Sequence, residues 1–444
     1  MDTVGHWLNR SVAPILALIV VASVAAGVAF DFRSVYPVAV LGGLLLFLLL
    51  VWDFRVIVPM MIVLVPVGPK FPMSFGNLYL ATVVLIVAYA VWVWRLPLSP
   101  AGLTFPREPV LLTLLVFTGV MLLSSLQNIS FLFQNQLHSL RFLQFLLYTF
   151  FFALILQMSI SRKTIRMLLV LVLAVGFLEG LIGVWQWQTN PGMFVTGTFD
   201  YRHTNYSVYT VFITFLFLGV LVETRRRVVA LTCIAALAAL IYATVFAFSR
   251  AAYVSLMVGF IALLFMPIKR GRRVALMGAV ALLGLVTYFM LPKDVILRAE
   301  DLFTTLTGKY IALSFRYRLR MWRVAFVDFL QHPILGKGTW TYEVRDNFYI
   351  KVLAEMGIAG FIAFIAVLYM IIKREWRCIR TEAGNDFVGG VAVGLLPATL
   401  ATLVVFQLSG DHFLNHRFMI NFWIVLALVL KHCLGVGQNR HQNG

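Results

Sequence analysis

Apolar residues run along this chain in long unbroken blocks of about 17–25 positions, separated by short stretches where charge, Pro and Gly collect. Such blocks are as long as a helix needs to cross a hydrocarbon layer. Their continuity, without alternation of period two, argues against the strands of a membrane barrel. Candidate spans lie near 12–30, 36–52, 56–68, 77–95, 108–125, 141–160, 164–186, 205–223, 228–248, 251–267, 273–291, 347–372, 387–409 and 417–435. That makes fourteen, or twelve if the short early ones pair or re-enter. Small residues crowd Ala22 to Ala29, as before a signal cleavage site. The block is longer than a signal core, however, and a second span follows at once, so it reads as the first membrane helix.

Between Pro292 and Asp346 the apolar pattern stops, and it resumes through R-D-N-F-Y-I-K-V-L-A-E-M-G-I-A-G at 345–360. Within this insertion, Ser314 to Leu330 has helical spacing. Arg316, Arg320 and Arg323 fall on one face, and Leu319, Trp322, Phe326 and Phe329 on another. A helix of that kind lies on a membrane surface or caps a cavity. Gln331-His332-Pro333 ends it, because Pro disfavours helical geometry in the residue before it.

Composition agrees with the pattern. Of 444 residues, 61% are hydrophobic and 12% charged, where a soluble domain has about a quarter charged. A net charge of +18 would suggest nucleic acid in a soluble protein. Here the basic residues cluster between apolar blocks, where they set orientation, and no nucleic-acid partner is expected. The clusters 162–166, 225–227, 269–273 and 373–377 are each two spans apart, so all four fall on one face, the cytoplasm, with both termini. Segments 187–204, 249–250, 292–346 and 409–416 then face outward. The expected architecture is an all-α, polytopic integral membrane helical bundle of about 12–14 helices with one large periplasmic loop. It divides into N-terminal helices (1–160), central helices (161–291), the loop (292–346), and C-terminal helices with a cytoplasmic tail (347–444). Cys233, Cys378 and Cys433 have no paired spacing, so neither a disulfide framework nor a zinc site is expected.

Chemistry is expected on the outward segments. Arg202 and Arg250 stand at outer helix ends, where positive-inside sorting works against them. A guanidinium binds phosphate bidentately and keeps its charge at any accessible pH; the bland alternative is that each snorkels to lipid headgroups. Asp346 and the pair Asp411/His412 are candidate general bases for activating a hydroxyl, although Asp346 would also suit as N-cap of a helix starting near Asn347. His203, His412 and His416 lack metal-ligand spacing, and no P-loop, G-x-G-x-x-G or G-x-S-x-G is present, so no cofactor is expected.

A longer constellation carries a resemblance. Arg318-x-x-x-Trp322, His332-Pro333-Ile334-Leu335-Gly336-Lys337-Gly338, Asn347-Phe348-Tyr349-Ile350 and Glu355-Met356-Gly357-Ile358-Ala359-Gly360 occur in this order. Upstream stand Gly197-Thr198-Phe199 with Asn205, and Ser249-Arg250-Ala251. Together they resemble the signature of bacterial O-antigen ligases and O-antigen polymerases over about residues 165–372. The resemblance implies an inner-membrane glycosyltransferase using no nucleotide sugar. Its donor is a glycan on a polyprenyl diphosphate at the periplasmic face, and its acceptor a glycan or lipid A-core. Membrane lipids and other polysaccharide-assembly proteins are the further partners. Arg202 and Arg250 would grip the diphosphate, with Asn205, Arg318, His332, Asn347 and Tyr349 around the substrates. In ligases of this family a His commonly precedes the Asn; here it is Asp346, which favours a polymerase of O-antigen or exopolysaccharide over a lipid A-core ligase. The competing readings are a transporter or flippase of lipid-linked glycan or another anion, which would show inverted repeats, and a non-catalytic envelope scaffold.

Overall fold

Backbone amides in lipid must be satisfied within the chain, and nearly all of the described protein is helix. The computed structural model describes residues 48–67, 70–73, 76–95, 108–128, 136–199, 203–268, 313–339, 347–382, 387–410 and 412–442, with positions 271, 273 and 278. The expected span 12–30, nearly all of 273–291 and most of 36–52 lie outside them.

The first described elements are α1 (Ile57–Val67), an antiparallel hairpin of β1 (Lys70–Met73) and β2 (Gly76–Tyr79), and α2 (Leu80–Arg95). Next come α3 (Pro109–Leu126), α4 (Gln136–Gln157), α5 (Arg162–Thr189), α6 (His203–Glu223), α7 (Arg227–Phe246) and α8 (Arg250–Leu264). The insertion contributes α9 (Leu313–Gln331), and the chain continues through α10 (Phe348–Glu382), α11 (Phe387–Thr399) and α12 (His416–Gln442). Among the described residues, six helices are long and apolar enough to cross a membrane, and four shorter apolar helices accompany them. The all-α polytopic bundle expected from the apolar blocks is present; the hairpin is a small addition to it.

The ends follow from local chemistry. Pro109 stands in the first turn of α3, where its missing amide costs nothing. Ser161 caps α5 by accepting the Thr164 amide at 3.1 Å. Pro397 lies inside α11 and deprives the helix of one donor; a π turn follows at Leu400–Val405. α6, α11 and the first half of α12 are buried on almost every side and form the centre of the bundle. α6 and α11 approach at Gly219 and Gly394, where any β-carbon would overlap the facing backbone.

Successive helices alternate between two ends. At one lie the basic clusters at 162–166, 225–227 and 373–377. There Arg374 forks onto the buried Glu108 carboxylate at 2.7 and 2.9 Å. Lys431 donates to Leu156 O at 2.9 Å. The structure also joins Cys378 to Cys433, which corrects the expectation from spacing: the partners meet only because α10 and α12 converge. At the other end, here the loop end, lie residues 190–199, 247–250, 332–339 and 409–417.

Candidate active site

The surface helix expected at 314–330 is observed as α9, Leu313–Gln331. Its buried side differs from the expected apolar face. Ala325 packs on Ala354 with Met321, Trp322 and Ile350 around it, whereas Leu319 and Phe326 stay exposed beside Arg316, Arg320 and Arg323. α9 therefore rests on the first turns of α10, with Arg318 partly buried and His332 exposed at its end.

The expected span 347–372 is two helices spliced together. Gly357 takes φ 64° and ψ −163°, which breaks α10 into a half-helix, 348–356, and the long helix after it. The backbone groups freed by the break are satisfied by the loop after α9. Lys337 N donates to Ala354 O (2.9 Å) and Gly338 N to Glu355 O (3.1 Å). In return Ile358 N donates to Pro333 O (2.9 Å) and Ala359 N to Ile334 O (3.2 Å). Ser124 Oγ adds a bond to Glu355 O at 2.6 Å. Gly336, at φ 69°, faces Glu355 so closely that a β-carbon would overlap its carbonyl. The two halves of the sequence signature, H-P-I-L-G-K-G and E-M-G-I-A-G, are thus the two sides of one backbone splice.

Asn347 begins the half-helix. Its Oδ1 accepts the Ile350 amide at 3.2 Å, so the cap considered for Asp346 is supplied by the next residue. Tyr349 is half-buried, and its hydroxyl donates to Val404 O in the π turn at 2.9 Å. α8 packs on the same turn, so the helix that starts at Arg250 and the one that carries Tyr349 share a neighbour. His412 is buried with its ring edge-on to Phe406 at 4.6 Å. Phe413, next to it, meets Phe348 at 5.3 Å.

The other segments expected to face outward come together at the same end of the bundle. Phe194 stacks on His203 at 4.6 Å and meets Phe248 at 5.8 Å, two residues before Arg250. Phe248 has φ 53°, a left-handed conformation costly for an aromatic residue. It is held there by rings on three sides: Trp187, Phe246 and Phe194. Val195 N donates to Phe246 O at 3.2 Å, tying the first loop to the second. Asn205 is half-buried in the first turn of α6. The structure thus gathers His203, Asn205, Arg250, Asn347, Tyr349 and His412 at one end of the bundle. Arg202, Asp346 and Asp411 lie outside the described residues.

Three polar residues at this end, Glu179 and Arg417 buried and Gln186 half-buried, were missed in the sequence reading. Gln186 and Glu179 on α5 and Arg417 on α12 all bind the turn 196–199. A signal existed for Glu179, a lone acid within an apolar block, which in a membrane helix is a site hypothesis by default.

The family model described as O-antigen ligase matches residues 235–365. Over this segment the chain is O-antigen ligase-like. Arg250, Arg318, His332, Asp346, Asn347 and Tyr349 fall inside the ligase-like segment, as do α9 and the whole splice. Arg202, His203, Asn205, Asp411 and His412 lie outside it. No curated protein matches the chain.

Proposed function

We propose that this chain is a membrane glycosyltransferase that moves a glycan from a polyprenyl diphosphate to an acceptor sugar hydroxyl at the periplasmic face. The product is a polymer of O-antigen or exopolysaccharide repeats in preference to a single transfer onto lipid A-core. The observation that carries the reading is the placement, at one end of the bundle, of the segment 194–199 with its Phe194–His203 stack, the turn before Arg250 and the spliced half-helix that begins at Asn347, the last two sharing the π turn at 400–405 as a neighbour. The O-antigen ligase match over 235–365 supports the same reading.

In this reaction the acceptor oxygen attacks the anomeric carbon, and the bond from that carbon to the diphosphate oxygen breaks. Negative charge grows on the departing diphosphate. Guanidinium groups fixed at that point favour the transition state over the ground state. Arg202 and Arg250 take this role, and Asp346 receives the hydroxyl proton. Asn205 and Asn347 supply hydrogen bonds to the glycan. Arg318, on the helix that rests on the start of α10, and His332, just past its end, approach the acceptor side.

The test is glycan transfer by the purified full chain in liposomes, given a polyprenyl-diphosphate oligosaccharide. Arg202→Ala, Arg250→Ala and Asp346→Ala should each lower turnover about 100-fold or more, the scale of removing one transition-state partner. Asp346→His should retain more activity than Asp346→Asn, because imidazole can also accept the proton. Full activity in all three alanine variants would reject the site. Movement of lipid-linked glycan across the bilayer with no new glycosidic bond would show a transporter instead. A ladder of repeat units identifies a polymerase, and one transfer to lipid A-core a ligase.

A further inference from the structure

α9 turns only a narrow strip inward. Ala325 packs on Ala354 with Met321, Trp322 and Ile350 around the pair, in a cluster separate from the main core. The opposite side is open. Arg316, Arg320 and Arg323, at i, i+4 and i+7, form one exposed stripe. Leu319, Phe326 and Leu330, at i, i+7 and i+11, form an exposed apolar stripe beside it. Among the described residues, none of the three arginines makes an ion pair or a hydrogen bond. The one acid of α9, Asp328, is partly buried, and its carboxylate lies 3.4 Å from Lys337 Nζ. In water this face would leave an apolar stripe hydrated and three guanidinium groups without an opposite charge. At the edge of a bilayer both are satisfied: the apolar side chains enter the acyl boundary, and the guanidinium groups stay with headgroup phosphate.

The surroundings select lipid as the occupant. α10 is long and apolar enough to cross a membrane, and Ile358, Ile362 and Ile365 stand exposed along it at i, i+4 and i+7. Ile358 N donates to Pro333 O and Ala359 N to Ile334 O, so the loop at the end of α9 is bonded to the start of that stripe. Leu330 and Ile334, 62% and 69% exposed, lead from α9 to this junction. A soluble protein would have to cover part of a lipid-facing helix. An acidic glycan would offer charge to the arginines but nothing to the apolar stripe.

We propose that the outward face of α9 docks on anionic phospholipid in the leaflet at the loop end. Arg316, Arg320 and Arg323 hold headgroup phosphates, and Leu319, Phe326 and Leu330 lie in the acyl boundary. The docking is independent of the reaction proposed above. Because α9 has only a small cluster on its inner side, lipid supplies much of its resistance to local opening.

The experiment is amide hydrogen exchange over 319–330 of the full chain, in vesicles of phosphatidylcholine alone and of phosphatidylcholine with phosphatidylglycerol. Adding phosphatidylglycerol should raise protection about fivefold for each arginine engaged, and high salt should shrink the gain. Replacing the three arginines together (Arg316→Gln, Arg320→Gln and Arg323→Gln) should hold the gain below about twofold, while amides in α6 keep their protection. Leu319→Gln with Leu330→Gln, every arginine kept, should lower α9 protection in both lipids. Equal protection in the two lipids, a full gain in the arginine variant, or no fall in the leucine variant overturns the proposal. If the arginine variant does not fold, the salt series on the wild type decides, and a gain that salt leaves untouched overturns it. The same gain from inorganic phosphate or an acidic oligosaccharide in pure phosphatidylcholine would show a site for a soluble anion and also overturn it.

Discussion

Replacing Gly357 with alanine attacks the splice at its centre. The φ 64°, ψ −163° backbone belongs to a region essentially reserved for glycine, and forcing alanine into it costs roughly 1–3 kcal/mol. The new β-carbon would also overlap Ile334 C and O and lie 2.7 Å from Gly336 N. These are backbone atoms and cannot swing aside, so the loop 333–338 must lift. Lifting it breaks the four bonds made by Lys337, Gly338, Ile358 and Ala359. At about 0.5–1.5 kcal/mol net for each bond, that adds about 2–6 kcal/mol. Taking the lower bounds, the variant should be destabilised by at least about 3 kcal/mol. Gly119→Ala is the control: it sits inside α3 with nothing within 4 Å of its would-be β-carbon, and should be neutral or stabilising by about 0.5–1 kcal/mol. Unfolding in mixed micelles gives the free energies, and amide hydrogen exchange at 337, 338, 358 and 359 reports the splice. If Gly357→Ala unfolds within about 1 kcal/mol of wild type and those amides keep their protection, the reasoning is wrong.

Arg374→Ala would leave the Glu108 carboxylate, whose side chain is 3% exposed, without its fork. The expected loss is about 3 kcal/mol, with Glu108→Gln on the same background recovering at least half of it, as read by unfolding midpoints. Gly394→Ala would drive a β-carbon into Phe215 O on α6; the expected cost is about 1–3 kcal/mol. The same assay would expose an error if that variant matched wild type.

Hydropathy is a local property, and what it controls was legible. The apolar blocks set the helical class, and the spacing of basic clusters set which helix ends lie together. α9 was readable nearly to the residue, because its periodicity and the stop at Pro333 are both short-range. The segments carrying His203, Arg250 and Asn347, expected to face outward, do gather at one end, since alternation of spans requires it. Other features depended on partners far away in the chain. The break in α10 is written as Gly357, but the carbonyls and amides that make it stable belong to the loop after α9. Cys378 meets Cys433 across 55 positions. Arg417 binds a carbonyl 219 residues upstream, beside an acid that hydropathy alone would count as a blemish in an apolar helix. Sequence therefore determined that this chain is a helical membrane bundle and which segments share an end. Only tertiary packing decided which polar groups face one another there, because a buried charge or a freed amide is satisfied by whatever the folded chain brings within about 3 Å of it.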